Sequence, residues 1–201
     1  MRIRKLVFLM PLLLVALAGS GCLFSPDDDT KPPPPPPVMP FPDSEDQLIA
    51  NFKTAYTSMK IDDYRPVLHP QYVFILRKDD VPLGGSDRFT YTEELAVAEN
   101  MFSGLPIPRP GDTPVPAISS ISISTLDRQG TWSVMGPSDP DFPNTHRGLY
   151  LIQLTFSRAG ANTIIVNGQQ EFYVTSKDSL VGGAIKQYFQ LRGQRDLTIG
   201  N

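Results

Sequence analysis

The sequence predicts an α+β fold in which helices come first and antiparallel strands follow. Three observations lead there. Apolar residues recur at spacings of three and four in two stretches before residue 103, β-branched and aromatic runs dominate from residue 118 onward, and the two kinds of element do not alternate as they would around a parallel sheet.

Ser44 and Gln47 form a capping-box pattern, and Leu48, Phe52, Ala55, Tyr56 and Met59 then mark one face of a helix running to about Lys60. Asp62 or Asp63 is expected to cap a second, short helical turn confined by Pro66 and Pro70, leading into a strand over Tyr72 to Leu76. Thr92, Glu93 and Glu94 begin another helix, with acids where the helix dipole favours them and Leu95, Ala98, Met101 and Phe102 as its apolar face. Residues 104–116 hold five prolines and two glycines, which predicts irregular chain. Ile121, Ile123 and Thr125 then alternate with Ser120, Ser122 and Ser124, and Trp132 and Val134 are assigned to a further strand or its edge. Gly148 to Arg158 and Thr163 to Ser176 read as a hairpin turning at Ala159 to Asn162, and Ile185 to Arg195 closes the series.

Not all 201 residues are expected to belong to that body. Arg2, Arg4 and Lys5 precede an apolar run from Leu6 to Ala18, and small residues precede Cys22, which reads as a signal peptide over residues 1–21. The run is shorter than the roughly 20 residues of a membrane-spanning helix. The residues Gly19-Ser20-Gly21-Cys22 resemble the lipobox of bacterial lipoproteins, with Gly19 where that family usually has an aliphatic residue. The resemblance implies acylation of Cys22, the one cysteine, and a lipid-anchored place in the bacterial envelope; Leu23 after it implies the outer membrane. Residues 22–43 are expected to be a tether: nine of the 21 prolines lie between Pro26 and Pro42, and Pro32 to Pro37 hold a polyproline II spacer. Residues 44–201 remain as one domain, too short for two catalytic domains. Eighteen basic against 21 acidic residues, three of the basic ones in the leader, exclude nucleic acid as an expected partner.

The opening helices, the Tyr72-Val73-Phe74 strand, the Glu93 to Phe102 helix, the strand Gly168-Gln169-Gln170-Glu171-Phe172-Tyr173-Val174 and the closing Ile185 to Leu197 segment are together similar to the nuclear transport factor two-like fold. Its relatives include SnoaL-type polyketide cyclases and ketosteroid isomerases. The resemblance implies a strongly curved antiparallel sheet wrapped around the N-terminal helices as a cone, whose open end holds a small apolar ligand, a reaction or a protein partner. Tyr56, Tyr64, Phe74, Trp132 and Phe189 are the expected binding residues, with Met101 and Phe172 also facing the interior.

Catalytic chemistry is not legible. His69 and His146 lack the neighbours of a zinc pattern; the first reads as a hydrogen-bonded turn residue and the second as a solvated loop residue. Asp139, Asp141 and Asn144 are interrupted by prolines and lack the glycine and distal glutamate of a calcium loop. Asp62 and Asp63 are explained by capping, and Glu171 lies on the strand face opposite Phe172. No cofactor or metal is expected. The first expectation is an envelope lipoprotein that binds a small ligand or an envelope protein without catalysis; an isomerase- or cyclase-type enzyme and a purely structural lipoprotein are the alternatives. A buried carboxyl or histidine of shifted pKa in the cone distinguishes the enzyme.

Cys22→Ala is expected to abolish detergent-phase partitioning of the exported protein, read by phase separation and immunoblot; labelled fatty acid on that variant would remove the lipoprotein assignment.

Overall fold

The computed structural model describes residues 39–81, 85–109 and 111–198. The leader, Cys22 and most of the expected tether lie outside these residues. Met39 onward forms one compact unit.

Helix α1 (Glu45–Ser58) starts at Ser44, whose hydroxyl accepts the Gln47 amide at 3.2 Å, and stops at Met59, which takes a left-handed conformation with φ of 53°. The Gln47 side chain does not complete the expected box; it donates to Asn51 at 2.9 Å. Leu48, Ile49, Phe52 and Ala55 are buried along one face, as the spacing predicts. Helix α2 (Ile61–Tyr64) is one turn, followed by a 3₁₀ turn over Arg65–Val67. Lys60, rather than either aspartate, occupies its cap position, and Asp62 and Asp63 sit inside its first turn.

Strand β1 (Leu68–Ile75) begins four residues earlier than the sequence predicts, and its pairing slips between Leu68 and Val73, where Pro70 has no amide to give a ladder. A three-residue strand β2 (Arg88–Thr90), with no signal of its own length in the sequence, leads into helix α3 (Tyr91–Phe102). Here the capping box is Thr90 with Glu93: the Glu93 carboxylate accepts the Thr90 amide at 2.8 Å. Two residues after the expected start, Glu94 is left free to turn inward.

Four long strands follow: β3 (Ile118–Val134), β4 (His146–Arg158), β5 (Ala161–Val181) and β6 (Ala184–Asp196). Trp132 and Val134 belong to the end of β3 itself, beyond an irregularity at Gly130, whose φ of 82° suits glycine. The sheet order is β2-β1-β6-β5-β4-β3. All pairs are antiparallel except β1 with β6, so the expected antiparallel sheet is a mixed one with a single parallel contact near its middle. Helix α1 touches both β3 and β6, three places apart in that order, and so packs across the inner face of the sheet.

Period-two alternation decides what faces that curve. Gln170, Phe172 and Val174 on β5 and Tyr150, Ile152 and Leu154 on β4 are buried, and Phe172, Val174, Tyr150, Ile152 and Leu154 share one core with α1 and α3. Glu171 and Tyr173 point to the other side, where Tyr173 stacks on Phe142 with ring centroids 3.9 Å apart, in a second, smaller core. Strand alternation in the sequence separates Glu171 from Phe172 in the same way.

The compact unit begins before residue 44. The Pro40 carbonyl accepts from Asn51 Nδ2 at 2.7 Å, the Pro42 carbonyl from the Phe189 amide at 2.9 Å, and the Phe41 ring lies 5.5 Å from Tyr188. Met39 packs against the main core. These contacts place residues 39–43, the end of the expected tether, on the body.

Phe172 is fully buried and meets Phe52 and Tyr150 edge-on at 5.4 and 5.1 Å. Phe172→Ala is expected to cost about 3–5 kcal/mol in urea unfolding, the cost of losing a buried aromatic ring and leaving a void between helix and sheet.

Candidate functional site

Between α1, α3, β1 and the inner faces of β4 to β6 lies a cavity of about 250 Å³. Most of its wall is apolar: Phe52, Tyr56 and Tyr64 from the opening helices, Phe74 and Phe89 from the first two strands, Ile152 and Leu154 from β4. Val97 and Met101 of α3 close it, and Val97 is 42% exposed, which marks the side open to solvent. The rings pack on one another, with Tyr56 lying 5.3 Å from Phe52 and 5.4 Å from Tyr64.

Three polar side chains interrupt this wall: Glu94, Gln170 and Gln194. Glu94, Ala98 and Met101 fall at spacings of four and three along α3, so the carboxyl rides on the helix's apolar face. Glu94 keeps part of its surface accessible to the cavity it lines, while its carboxyl end is closely surrounded by protein. Tyr64 Oη donates to Glu94 Oε1 at 2.8 Å. Among the described residues no cation pairs with this carboxylate. Burial raises its pKa above the ordinary carboxylate value, and the Tyr64 hydrogen bond opposes that only in part. Burial, with Glu94 nearby, in turn pushes the Tyr56, Tyr64 and Tyr72 phenols up, so all three stay protonated. The arrangement places one titratable carboxyl on a mostly apolar wall.

Of the five expected binding residues, Tyr56, Tyr64 and Phe74 line the cavity; Trp132 and Phe189 do not. The Trp132 ring covers Gly148, where a Cβ would come within 2.7 Å of it, and its indole Nε1 donates to Asp46 at 3.1 Å. Trp132 thereby fastens the first turn of α1 to the sheet. Phe189 is half-buried where the chain enters the body. Met101 lines the cavity as expected, whereas Phe172 stands in the core behind it.

His146 is not a solvated loop residue: it opens β4, and its Nδ1 lies 2.6 Å from Glu45 Oε1, a second fastening of the α1 start. His69 Nδ1 accepts the Gln71 amide at 3.1 Å on β1, and burial together with Arg192 and Lys177 lowers its pKa. Asp141 joins Arg88 at 2.6 Å and Arg195 at 2.5 Å, and Asp139 accepts the Phe142 amide at 2.6 Å, so both have structural partners. Glu171 is held by Tyr173 Oη at 2.6 Å and by Arg147 and Arg195.

No protein-family model matches the chain, and no curated protein matches it. Solved structures do. A conserved protein from Planctomyces limnophilus is similar over 77% of this chain and 92% of its own, at 11% identity and a TM-score of 0.52, which shows a shared fold. A putative aromatic ring hydroxylase from Novosphingobium aromaticivorans matches over 78% and 87% at 14% identity with a TM-score of 0.47. A ketosteroid isomerase-like protein from Erwinia carotovora atroseptica matches over 78% and 94% at 9% identity with a TM-score of 0.44.

An unfolded chain ionises Glu94 near the ordinary value of 4.5, whereas the folded protein keeps it protonated to higher pH. Its burial therefore costs nothing below that value, destabilises increasingly as pH rises from it, and levels off above the folded pKa. Glu94→Gln is expected to be the more stable protein at alkaline pH, with the gap closing toward pH 4.5, when urea unfolding of the two is compared across pH. A gap independent of pH would mean that the carboxyl ionises freely in the folded state.

Proposed function

We propose that this protein is an exported, lipid-anchored cone that binds a small, uncharged, mostly apolar ring compound and exchanges a proton with it through Glu94. The single observation behind this reading is Glu94 itself: a carboxyl with no cation beside it among the described residues, bonded to one tyrosine, and facing an aromatic cavity. An isolated buried charge costs several kcal/mol and is seldom kept for stability. A carboxyl whose pKa is raised above its ordinary value is suited to general acid-base work, and the surrounding apolar wall limits competing water. Tyr64 orients the carboxyl and leaves Oε2 for the ligand.

Anchoring rests on the leader and Cys22, which lie outside the described residues, and places the body at the bacterial outer membrane. Binding without turnover is the second reading. It is favoured by the lining of the cavity, where among the described residues Glu94 is accompanied by no histidine or second carboxyl and the phenols stay protonated.

Both readings require an apolar ligand to bind more tightly when Glu94 is neutral, because the ligand removes the water that solvates the carboxylate. Affinity for fused-ring hydrocarbons, measured by fluorescence displacement, is expected to fall as pH rises through the Glu94 titration and to be flat with pH in Glu94→Gln. Flat binding in the wild-type protein would contradict the proposal. Turnover separates the two readings: with a reactive substrate found by screening, Glu94→Gln is expected to lose about 10²-fold or more in kcat and little in KM.

A further inference from the structure

Strands β5 and β6 run on together beyond their other neighbours. β4 accompanies β5 only as far as Val174, and β1 meets β6 only from Leu191 onward, so residues 175–190 form a two-stranded ribbon with no further strand beside it among the described residues. Gly182 and Gly183, with φ of 59° and 83°, make its two-residue turn. Leu180 and Ile185 stand opposite each other one pair behind that turn and are each 74% exposed. From Leu180 to Ile185 no side chain is polar. An exposed leucine alone needs no explanation, but a contiguous apolar end on a projecting ribbon marks a contact surface.

The residues behind the tip narrow the choice of what it contacts. The Lys177 ammonium lies 5.5 Å from the Tyr188 ring centroid, and that of Lys186 lies 5.9 Å from the Phe41 ring. Asp178, the acid of the ribbon, accepts from Gln187 Nε2. At about 3.3 Å per residue the two lysines stand roughly 10–16 Å behind the turn, so their stems reach forward to a phosphate layer that the aliphatic tip passes. The chain enters the body at the base of this same ribbon. There the Pro42 carbonyl accepts the Phe189 amide at 2.9 Å, and the Phe41 ring lies 5.5 Å from Tyr188. Residues 23–38 separate Cys22 from the described body, a span of at most about 60 Å. Two aliphatic side chains hold a free protein at a membrane only weakly, whereas a tether of that reach keeps them at high effective concentration beside it.

We infer that the end of the β5–β6 ribbon, Leu180 to Ile185, docks into the interface of an anionic phospholipid bilayer, with Lys177 and Lys186 at the headgroups. This rests on the reading of Cys22 as a lipid anchor, and it gives the anchored body an orientation, with the ribbon and residues 39–43 toward the lipid. The pattern of side chains favours lipid over a protein groove. Leu180 and Ile185 project from one face of the ribbon, Val181 and Ala184 from the other. A groove or an added strand takes one face or one edge, whereas a bilayer surrounds both faces. The phosphate layer also supplies anions to both lysines at once.

The full exported chain, acylated in the cell, is reconstituted into vesicles of phosphatidylethanolamine and phosphatidylglycerol. Acylation blocks the Cys22 thiol, so a maleimide-linked, environment-sensitive dye reports only on an introduced cysteine. The dye at Leu180→Cys is expected to shift its emission to the blue on reconstitution and to be quenched by lipids brominated on their chains. The dye at Ile165→Cys, 58% exposed near the other end of β5, is expected to do neither. Adding Ile185→Asp to Leu180→Cys should abolish both signals, and adding Lys177→Glu with Lys186→Glu should reduce the quenching. Flotation of every variant with its vesicles should stay unchanged, because the anchor is intact. A chain that floats while the dye at Leu180→Cys stays aqueous would overturn the inference and leave the anchoring standing; if that dye is nonetheless shielded from a soluble quencher in native envelopes, a protein occupies the ribbon instead. Equal signals at Leu180→Cys and Ile165→Cys would trace insertion to the dye and overturn the inference as well. Failure of the wild-type chain to float would remove the anchor and this inference with it.

Discussion

A carboxyl group set among aromatic rings, with no cation paired to it among the described residues, sets the character of this protein. Glu94 costs stability wherever it is ionised, and the fold accommodates it with one phenolic hydrogen bond rather than an ion pair. Keeping it neutral constrains the surroundings: Tyr56, Tyr64 and Tyr72 must remain uncharged, the wall must remain apolar, and α3 must point the residue inward. The Thr90–Glu93 cap serves that last requirement, since it fixes the first turn of the helix and separates two adjacent glutamates, one to the solvent and one to the cavity.

Charge is distributed in a contrasting way on the other side of the sheet. There Arg88, Arg195 and Arg147 are shared between Asp141 and Glu171, and Arg195 also lies over the Tyr173 and Phe142 rings. These paired charges hold the segment between β3 and β4 against the sheet and need no ligand. The sequence offers both kinds of acid in similar surroundings, and only the direction of the side chain distinguishes them. On β5 that direction follows from alternation, which puts Glu171 outside and Gln170 inside.

The order of elements was legible because it depends on local periodicity, and so were the apolar faces of α1 and α3. The parallel β1–β6 pairing was not, since nothing in the Tyr72 to Leu76 run specifies which strand it meets 120 residues later. Trp132 was misplaced for a related reason: a large aromatic on a strand reads as interior, and its actual position is decided by the space that Gly148 leaves and by the acid at Asp46. Glu94 was readable and was passed over. Its place with Ala98 and Met101 on one face marks it as an acid on an apolar stripe, but taken with Glu93 it passes for an ordinary first-turn acid favoured by the helix dipole. Gln194 carried no signal beyond its place in an alternating strand, because Tyr72, whose hydroxyl donates to its Oε1, is brought near only by the parallel pairing.

The pH at which Glu94 changes its protonation state is the point on which the account turns. Infrared difference spectroscopy between the wild-type protein and Glu94→Gln, with the carboxyl labelled with ¹³C to assign its band, reads that state directly. The account predicts a protonated carboxylic acid band that persists to higher pH in the folded protein than in the urea-unfolded chain. A band that bleaches at the same pH in the folded and the unfolded chain would contradict it, leaving a Glu94 that ionises as freely as in water.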